Sequence, residues 1–526
     1  MRPRLTGQSF IVDSDCSVRK IAGDAFGRVC NNLQDIEVGK QVKFLTDSVI
    51  SNREPNSRAG FAFALGSILH HLGGMAAGIH LRNVLGLLLS LANDSHPVVQ
   101  FWALEALEMC IESSGLGFSP HISSSLGIFA RLVLSDLFDP EDVVSALSNA
   151  ALEVQTLSTL TRCIDAIINV LGPDLASSKK SKILICSLVN ELDLDDDPFV
   201  SIEAVRCMQH LELFAPDSID HVRYVHHLEV NLSSDSLRIR HISTEALYAL
   251  VRKDVNMVIE LSQSSLSDHL WSSINAHGCM STEIQEIIYS WLNQTALKDV
   301  KQWIAMCLKL LTHTGQRDLV KEEAKGETLT VEQLEFIDEA AAFSAQSTNK
   351  VHKDETHRPY LSWQAVSFAL DCLRRVVHLN LKTLSTDSST HPLILCVGDL
   401  IRAAFTASTS TVVEIRLGGL TLLHDLIKVS SKHDVVANMQ GLAVCLDPDF
   451  PESTLLEQYQ AQIASALTPA FAADSSPDIA SEAISICAEF ISSGIVKDVD
   501  HMGRLLKILV AGLVNIDGMI RISYRC

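Results

Sequence analysis

Two adjacent histidine pairs, His70-His71 and His226-His227, are the residues best suited by type to hold a metal or move a proton. Imidazole does both near neutral pH. Adjacent residues on a helix point about 100° apart, so neither pair easily shares one metal. Both pairs read as helix-end or surface histidines. The acidic turn from Asp193 to Asp197 could attract a cation. It lacks the spacing of an EF-hand and its closing glutamate. Its carboxylates are better placed to cap the helix that follows and to favour that helix dipole. Gly73, Gly74 and Gly78 lie between two helical patterns, so they read as turn residues rather than a phosphate cradle. No H-E-x-x-H, G-x-S-x-G, Walker loop or G-x-G-x-x-G occurs. The sequence therefore nominates no catalytic, metal-binding or cofactor-binding residue, and its partner-binding residues stay unassigned.

The elements that would position any site are helices. Val18, Ala22, Phe26 and Val29 stand at offsets of 0, 4, 8 and 11. The same offsets return at Val99, Ala103, Leu107, Cys110 and at Val200, Ala204, Met208, Leu211. They return again at Ile415, Gly419, Leu423, Leu426 and at Ile479, Ala483, Cys487, Phe490. Such a set is the buried stripe of an α-helix. Clean neighbouring copies lie ~40 residues apart, the period of a HEAT-type repeat. One such unit cannot bury its apolar face alone and must stack on its neighbours. The fold class expected is all-α, a HEAT-type (armadillo-like) α-α superhelical solenoid. Ala103 and Ala483 should lie where neighbouring helices approach closely.

Helix ends are marked in places. Pro97 opens one helix, with Asp94 or Ser95 as the expected cap, and Asp197-Pro198 repeats the device. Gly73-Gly74 and Gly172-Pro173 provide stops. Single helices are expected over Val258–Ile274, Leu393–Thr406, Val412–Val429 and Glu452–Phe471, the last two separated by a loop at 447–451. Residues 1–316 read as the first part of the solenoid and 359–526 as the second. Between them, 317–358 is rich in charged and small residues and reads as an acidic, mostly disordered insertion. The array is expected to stop within a repeat, as in a fragment of a longer protein.

Composition narrows the partners. Net charge is −21, and no cluster of Lys and Arg is present to displace phosphate counterions. Lys179, Lys180 and Lys182 form the best basic run, and they read as a solvated helix start. Nucleic acid is not an expected partner, nor is a small-molecule substrate. Thirteen cysteines are scattered without a C-x-x-C pair, which suits a reducing cytosol rather than a disulfide framework. Met1-Arg2-Pro3-Arg4-Leu5 lacks the apolar core of a signal peptide, so the sequons at Asn231 and Asn293 carry no weight. No apolar run reaches the roughly 18–20 residues that span a bilayer. Membrane contact is expected only through partners.

Certain segments are more specific. They are Phe63-Ala64-Leu65-Gly66 with His71-Leu72-Gly73-Gly74, then Pro97 to Leu104, Leu211 to Pro216, and above all Leu456 to Phe471. In this order, around an acidic insertion, they resemble the HEAT-repeat-containing protein 5 family, which includes the large yeast accessory protein of the clathrin adaptor. The resemblance implies a non-enzymatic scaffold without cofactors. Its expected partners are adaptor protein complex 1 and its accessory proteins, at the trans-Golgi network and endosomes, in traffic between them. It assigns no binding residue position by position. Two other readings stay open, an acidic nuclear transport receptor and a regulatory scaffold of a phosphatase or kinase. The five tryptophans form no repeated Trp–Asn array, which counts against the first of these.

Overall fold

The structure, a computed structural model, describes residues 8–136, 146–195, 197–262, 265–276, 282–315, 363–382, 391–428, 454–472 and 475–493, with isolated residues between 503 and 510. The expected insertion at 317–358 and the loop at 447–451 lie outside these residues, as do most residues beyond Ser493. The described residues form helices, joined by turns and short 3-10 segments, and no sheet. The fold is all-α and of the HEAT type. It divides into two compact units, Met1–Leu250 with Glu260–Gln263, and Val251–Ile259 with Ser264–Cys526.

In the first unit, first helices alternate with second helices. The first helices are α2 (Cys16–Cys30), α4 (Pro55–Leu72), α6 (Pro97–Ser114), α8 (Ala146–Leu171) and α10 (Pro198–Phe214). Each packs on the next: α2 on α4, α4 on α6, α6 on α8, α8 on α10. The second helices are α3 (Asp35–Ser51), α5 (Gly74–Leu91), α7 (Ile122–Asp136), α9 (Lys179–Leu192) and α11 (His221–Asn231). A short α1 (Gln8–Ile11) packs on α2 and α4, and α12 (Leu237–Lys253) follows α11.

The copies of the stripe beginning at Val99, Ile415 and Ile479 are buried throughout. In the copy beginning at Val200, Met208 alone is half-buried. Ala103 and Ala483 have no exposed surface. The first copy differs. Val29 is 45 % exposed, and α2 buries Arg19, Gly23, Phe26, Gly27 and Cys30 instead. The cause is close backbone approach. A Cβ on Gly27 would stand 2.6 Å from the Ser67 carbonyl oxygen, and one on Gly23 would meet the Phe63 ring at 2.6 Å. Glycine thus replaces large apolar residues on the buried face, where an apolar count cannot find it.

Helix α4 is buried nearly all round, from Ala59 to Leu69. Phe63 meets Trp102 of α6 edge-on with ring centroids 5.0 Å apart. The Arg19 guanidinium lies 5.3 Å from the centre of that indole and donates to the carbonyls of Asp13 and Ser14. One buried cation therefore fixes the chain leading into α2. Gly73, at φ 62°, closes α4, a conformation glycine adopts without Cβ strain.

Several expected boundaries are corrected. His96 occupies the N-cap position of α6 without a side-chain capping bond, while Asp94 accepts from the His96 amide and holds Arg58 at 2.6 Å, so Asp94 joins two repeats rather than capping one helix. Asp197 does cap α10, accepting from the Phe199 amide at 2.6 Å. The helix expected over Val258–Ile274 is two, α13 (Val255–Leu261) and α14 (Ser265–Ala276).

In the second unit, α15 (Thr282–Thr295) and α16 (Val300–Gly315) both pack on α17 (Trp363–Leu381). The segment expected over Leu393–Thr406 breaks at Cys396 into α18 (Pro392–Leu395) and α19 (Val397–Ser408), because Cys396 turns to φ −102°, ψ 1°. Next come α20 (Val413–Ile427), α21 (Gln460–Leu467) and α22 (Pro477–Ser492). α20 packs on α17, α19 and α22. α20 ends at Ile427, two residues before the expected stop, where Lys428 leaves the helical region at ψ 120°. Only α21 is α-helical within the described part of the long helix expected up to Phe471. A 3-10 turn precedes it at Glu457–Tyr459 and another follows at Thr468–Phe471, where Pro469 cannot donate to the ladder. Leu456, Ile463 and Leu467 are fully buried. The Tyr459 hydroxyl lies where a Cβ on Gly398 would come within 2.7 Å.

Candidate partner-binding surface

The residues that drew attention for chemistry are spoken for by their own repeats. His71 Nε2 lies 2.7 Å from Asp24 Oδ1 and joins α4 to α2, although its ring also meets His70 edge-on. His227 Nε2 lies 2.7 Å from the Asn231 amide and 3.3 Å from Asp193. In the acidic turn, Asp195 accepts from the Asp197 amide, and Asp197 caps α10. Lys179 opens α9. Among the described residues, no three His, Cys, Asp or Glu side chains are placed to hold a metal. None of the described helices is long and apolar enough to cross a membrane.

The first helices carry an ion-pair lattice that periodicity did not indicate. Glu105 of α6 is almost buried and takes Arg162 of α8, with Lys20 of α2 at 3.7 Å. Arg162 also reaches Glu108 at 3.2 Å. Asp165 of α8 lies 2.6 Å from His210 of α10. The second unit repeats the device. Asp425 of α20 holds Arg374 of α17 at 2.7 Å, and His424 lies 2.6 Å from Glu482 of α22. Nearby, the Tyr289 hydroxyl donates to Asp371 while Arg375 covers the ring face at 3.5 Å. Apart from Lys20, which reaches past α4 to α6, each pair joins helices that pack directly on one another, so it ties one repeat to the next as well as contributing charge attraction.

The lattice leaves one groove over α2, α4, α6 and α8, with a cavity of about 500 Å³. Asp24, Glu105, Glu108 and Glu112 outnumber Lys20 and Arg162 along it, while Met109 and the 71 % exposed Ile21 supply apolar surface. An acidic groove with apolar patches suits a basic, amphipathic protein segment.

Burial pushes the Glu108 carboxyl up to about 7. Arg162 pulls against this, while Glu105, Glu112 and Glu203 add to it. A carboxyl raised from the 4.5 of the unfolded chain favours the folded state most below that pH. That contribution, at most about 3 kcal/mol, is lost as pH rises through 7. Glu108→Gln should therefore raise the urea midpoint of the full chain at pH 8 and give little gain at pH 5. An equal shift at both pH values would contradict this account.

Residues 392–523 match the Laa1/Sip1/HEATR5 HEAT repeat region. The chain is 26 % identical over 510 residues to Protein SWEETIE of Arabidopsis thaliana, a match covering 93 % of this chain and 22 % of that protein. It is 36 % identical over 119 residues to AP-1 accessory protein LAA1 of Saccharomyces cerevisiae, covering 23 % of this chain and 5 % of that protein. The chain thus spans less than a quarter of the length of these relatives. Among solved structures, Kap121p bound to RanGTP aligns with 98 % of this chain and 49 % of that one, at 13 % identity and a TM-score of 0.42. The region matched to the family model includes α18 to α22, and within it lies the Leu456–Phe471 segment that first suggested the resemblance. Over these stretches the chain is similar to the Laa1/Sip1/HEATR5 family of HEAT-repeat proteins.

Proposed function

We propose that this chain is part of a non-enzymatic scaffold that supports clathrin adaptor localisation in traffic between the trans-Golgi network and endosomes. The observation that carries the reading is the family match, within which the yeast relative is named as an AP-1 accessory protein. The partners are adaptor protein complex 1 and its accessory proteins, bound through protein contacts alone. The acidic groove over α2 to α8 supports a partner segment that is basic and partly apolar. Membranes are reached indirectly, a reading supported by a sequence without a cluster of Lys and Arg for anionic lipid. The same proposal divides the chain into a solenoid over 1–316, an acidic insertion over 317–358 and a second solenoid over 359–526.

The test is depletion of the full-length protein while adaptor complex 1 is followed by fluorescence in living cells. The expected result is adaptor lost from its perinuclear membranes, with slowed cargo return from endosomes. Normal adaptor distribution and unchanged cargo return would sink the proposal.

A further inference from the structure

A second cavity lies among α9, α10 and α11 of the first unit, with a volume of about 360 Å³. That size is within the usual range for a small-ligand pocket. Its apolar lining includes Met208, Leu211 and Ile219. Against it stands Tyr224, 2 % exposed, whose hydroxyl is sealed from solvent and has no hydrogen-bond partner. Beside it, Asp193 Oδ1 is also sealed and accepts no hydrogen bond, with His227 Nε2 at 3.3 Å. The Tyr224 hydroxyl and Asp193 Oδ1 thus make no hydrogen bond, His227 being an ion-pair contact only, and Ser218 Oγ on the same lining makes none either; such buried polar atoms cost free energy that a ligand could return.

The two atoms define the missing group. A carboxylate oxygen accepts, and a phenol oxygen accepts while its proton donates. A group with several N–H donors therefore serves both. Asp220 adds a second carboxylate to the lining, while Arg223 is exposed there and is the sole Lys or Arg of the lining. Burial holds the Asp193 carboxyl above its ordinary range, and His227 and Arg223 offset this only in part, so the carboxylate is short of cationic partners. We propose that this cavity binds an aliphatic ammonium group, seated between Asp193 and Tyr224 with its alkyl stem against Met208, Leu211 and Ile219. The ammonium could belong to a free alkylamine or to a lysine side chain of a bound peptide. The site is separate from the groove over α2 to α8 and does not depend on the trafficking proposal.

The experiment is calorimetric titration of the full chain with n-pentylammonium and with Nα-acetyl-lysine methylamide, using 1-pentanol as the neutral control. Saturable binding of at least one ammonium and none of the alcohol is expected. Binding of the amine alone identifies a small-molecule site, and binding of the lysine derivative identifies a peptide-reading pocket. Losing a charged hydrogen bond should weaken binding about tenfold or more in Asp193→Asn. Tyr224→Phe should weaken it less while leaving the protein folded, since it removes a hydroxyl that has no partner. Arg223→Gln should tighten it by removing the competing cation. Absence of saturable ammonium binding, equal binding of 1-pentanol, or unchanged affinity in both Asp193→Asn and Tyr224→Phe would overturn the assignment.

Discussion

Arg162→Met is expected to destabilise the chain by about 3 kcal/mol, the usual cost of stripping the partner from a buried charge. Glu105 is the reason. Its side chain is 10 % exposed, Arg162 binds it directly, and its other cation, Lys20, is a largely exposed side chain 3.7 Å away. Methionine fills much of the space of the arginine stem but offers no donor, so the nearly buried Glu105 keeps only the distant, exposed Lys20. Glu108 loses its contact at 3.2 Å as well. Adding Glu105→Gln to Arg162→Met should recover a large part of the loss, because the orphaned charge is then gone. The urea midpoint of the full chain, followed by helical circular dichroism, measures both variants. A single variant within about 0.5 kcal/mol of the parent, the range of ordinary surface substitutions, would show that the lattice is decorative.

Gly66→Leu is the second large effect. A Cβ on Gly66 would stand 2.7 Å from both the Cα and the Cβ of Ala106. The neighbour is backbone, so no rotamer change relieves the clash, and α4 must move away from α6. These helices pack directly on one another, with Phe63 and Trp102 edge-on between them. Overpacking at such a site costs about 3 kcal/mol, the upper end of its usual range. The loss should come with changed near-ultraviolet dichroism, since Trp102 shifts with α6. Gly78→Ala serves as the control, because nothing lies within 4 Å of a Cβ added there. Helix propensity favours both replacements over glycine, so a Gly66→Leu variant as stable as Gly78→Ala would mean that the approach of Ala106 does not govern Gly66.

The apolar stripe was legible because its information is local. Four residues at helical spacing name the buried face whatever packs against it, and Val99, Ala103, Leu107 and Cys110 are all at zero exposure. Gly23 and Gly27 were not legible, because a glycine is buried by what approaches it rather than by its own apolarity. The ion-pair lattice was illegible for a related reason. Its partners lie far apart in sequence, 47 residues for Asp24 and His71, 57 for Glu105 and Arg162, and 58 for His424 and Glu482. Each member alone looks like an ordinary solvated polar position. The cavity beneath Tyr224 is harder still. A buried tyrosine is common, and only the surrounding geometry shows that its hydroxyl has nothing to bond.

The buried thiols carry a consequence for how such a stack comes apart. Cys163 on α8 donates to the Leu104 carbonyl on α6 at 3.3 Å, and Cys207 on α10 donates to the Thr161 carbonyl on α8 at 3.6 Å. Burial pushes both thiols well above the ordinary cysteine range, and alkylation requires the thiolate. Neither sulfur can react until the seam it bridges has parted. Alkylation at Cys163 therefore times the seam between α6 and α8, and alkylation at Cys207 times the next one along, while the exposed Cys16 marks the unrestricted rate. In a stack where each helix leans only on its neighbours, those two clocks are free to run at different speeds. Two different rates would mean a molecule that loosens like a zipper, and one shared rate a molecule that lets go all at once.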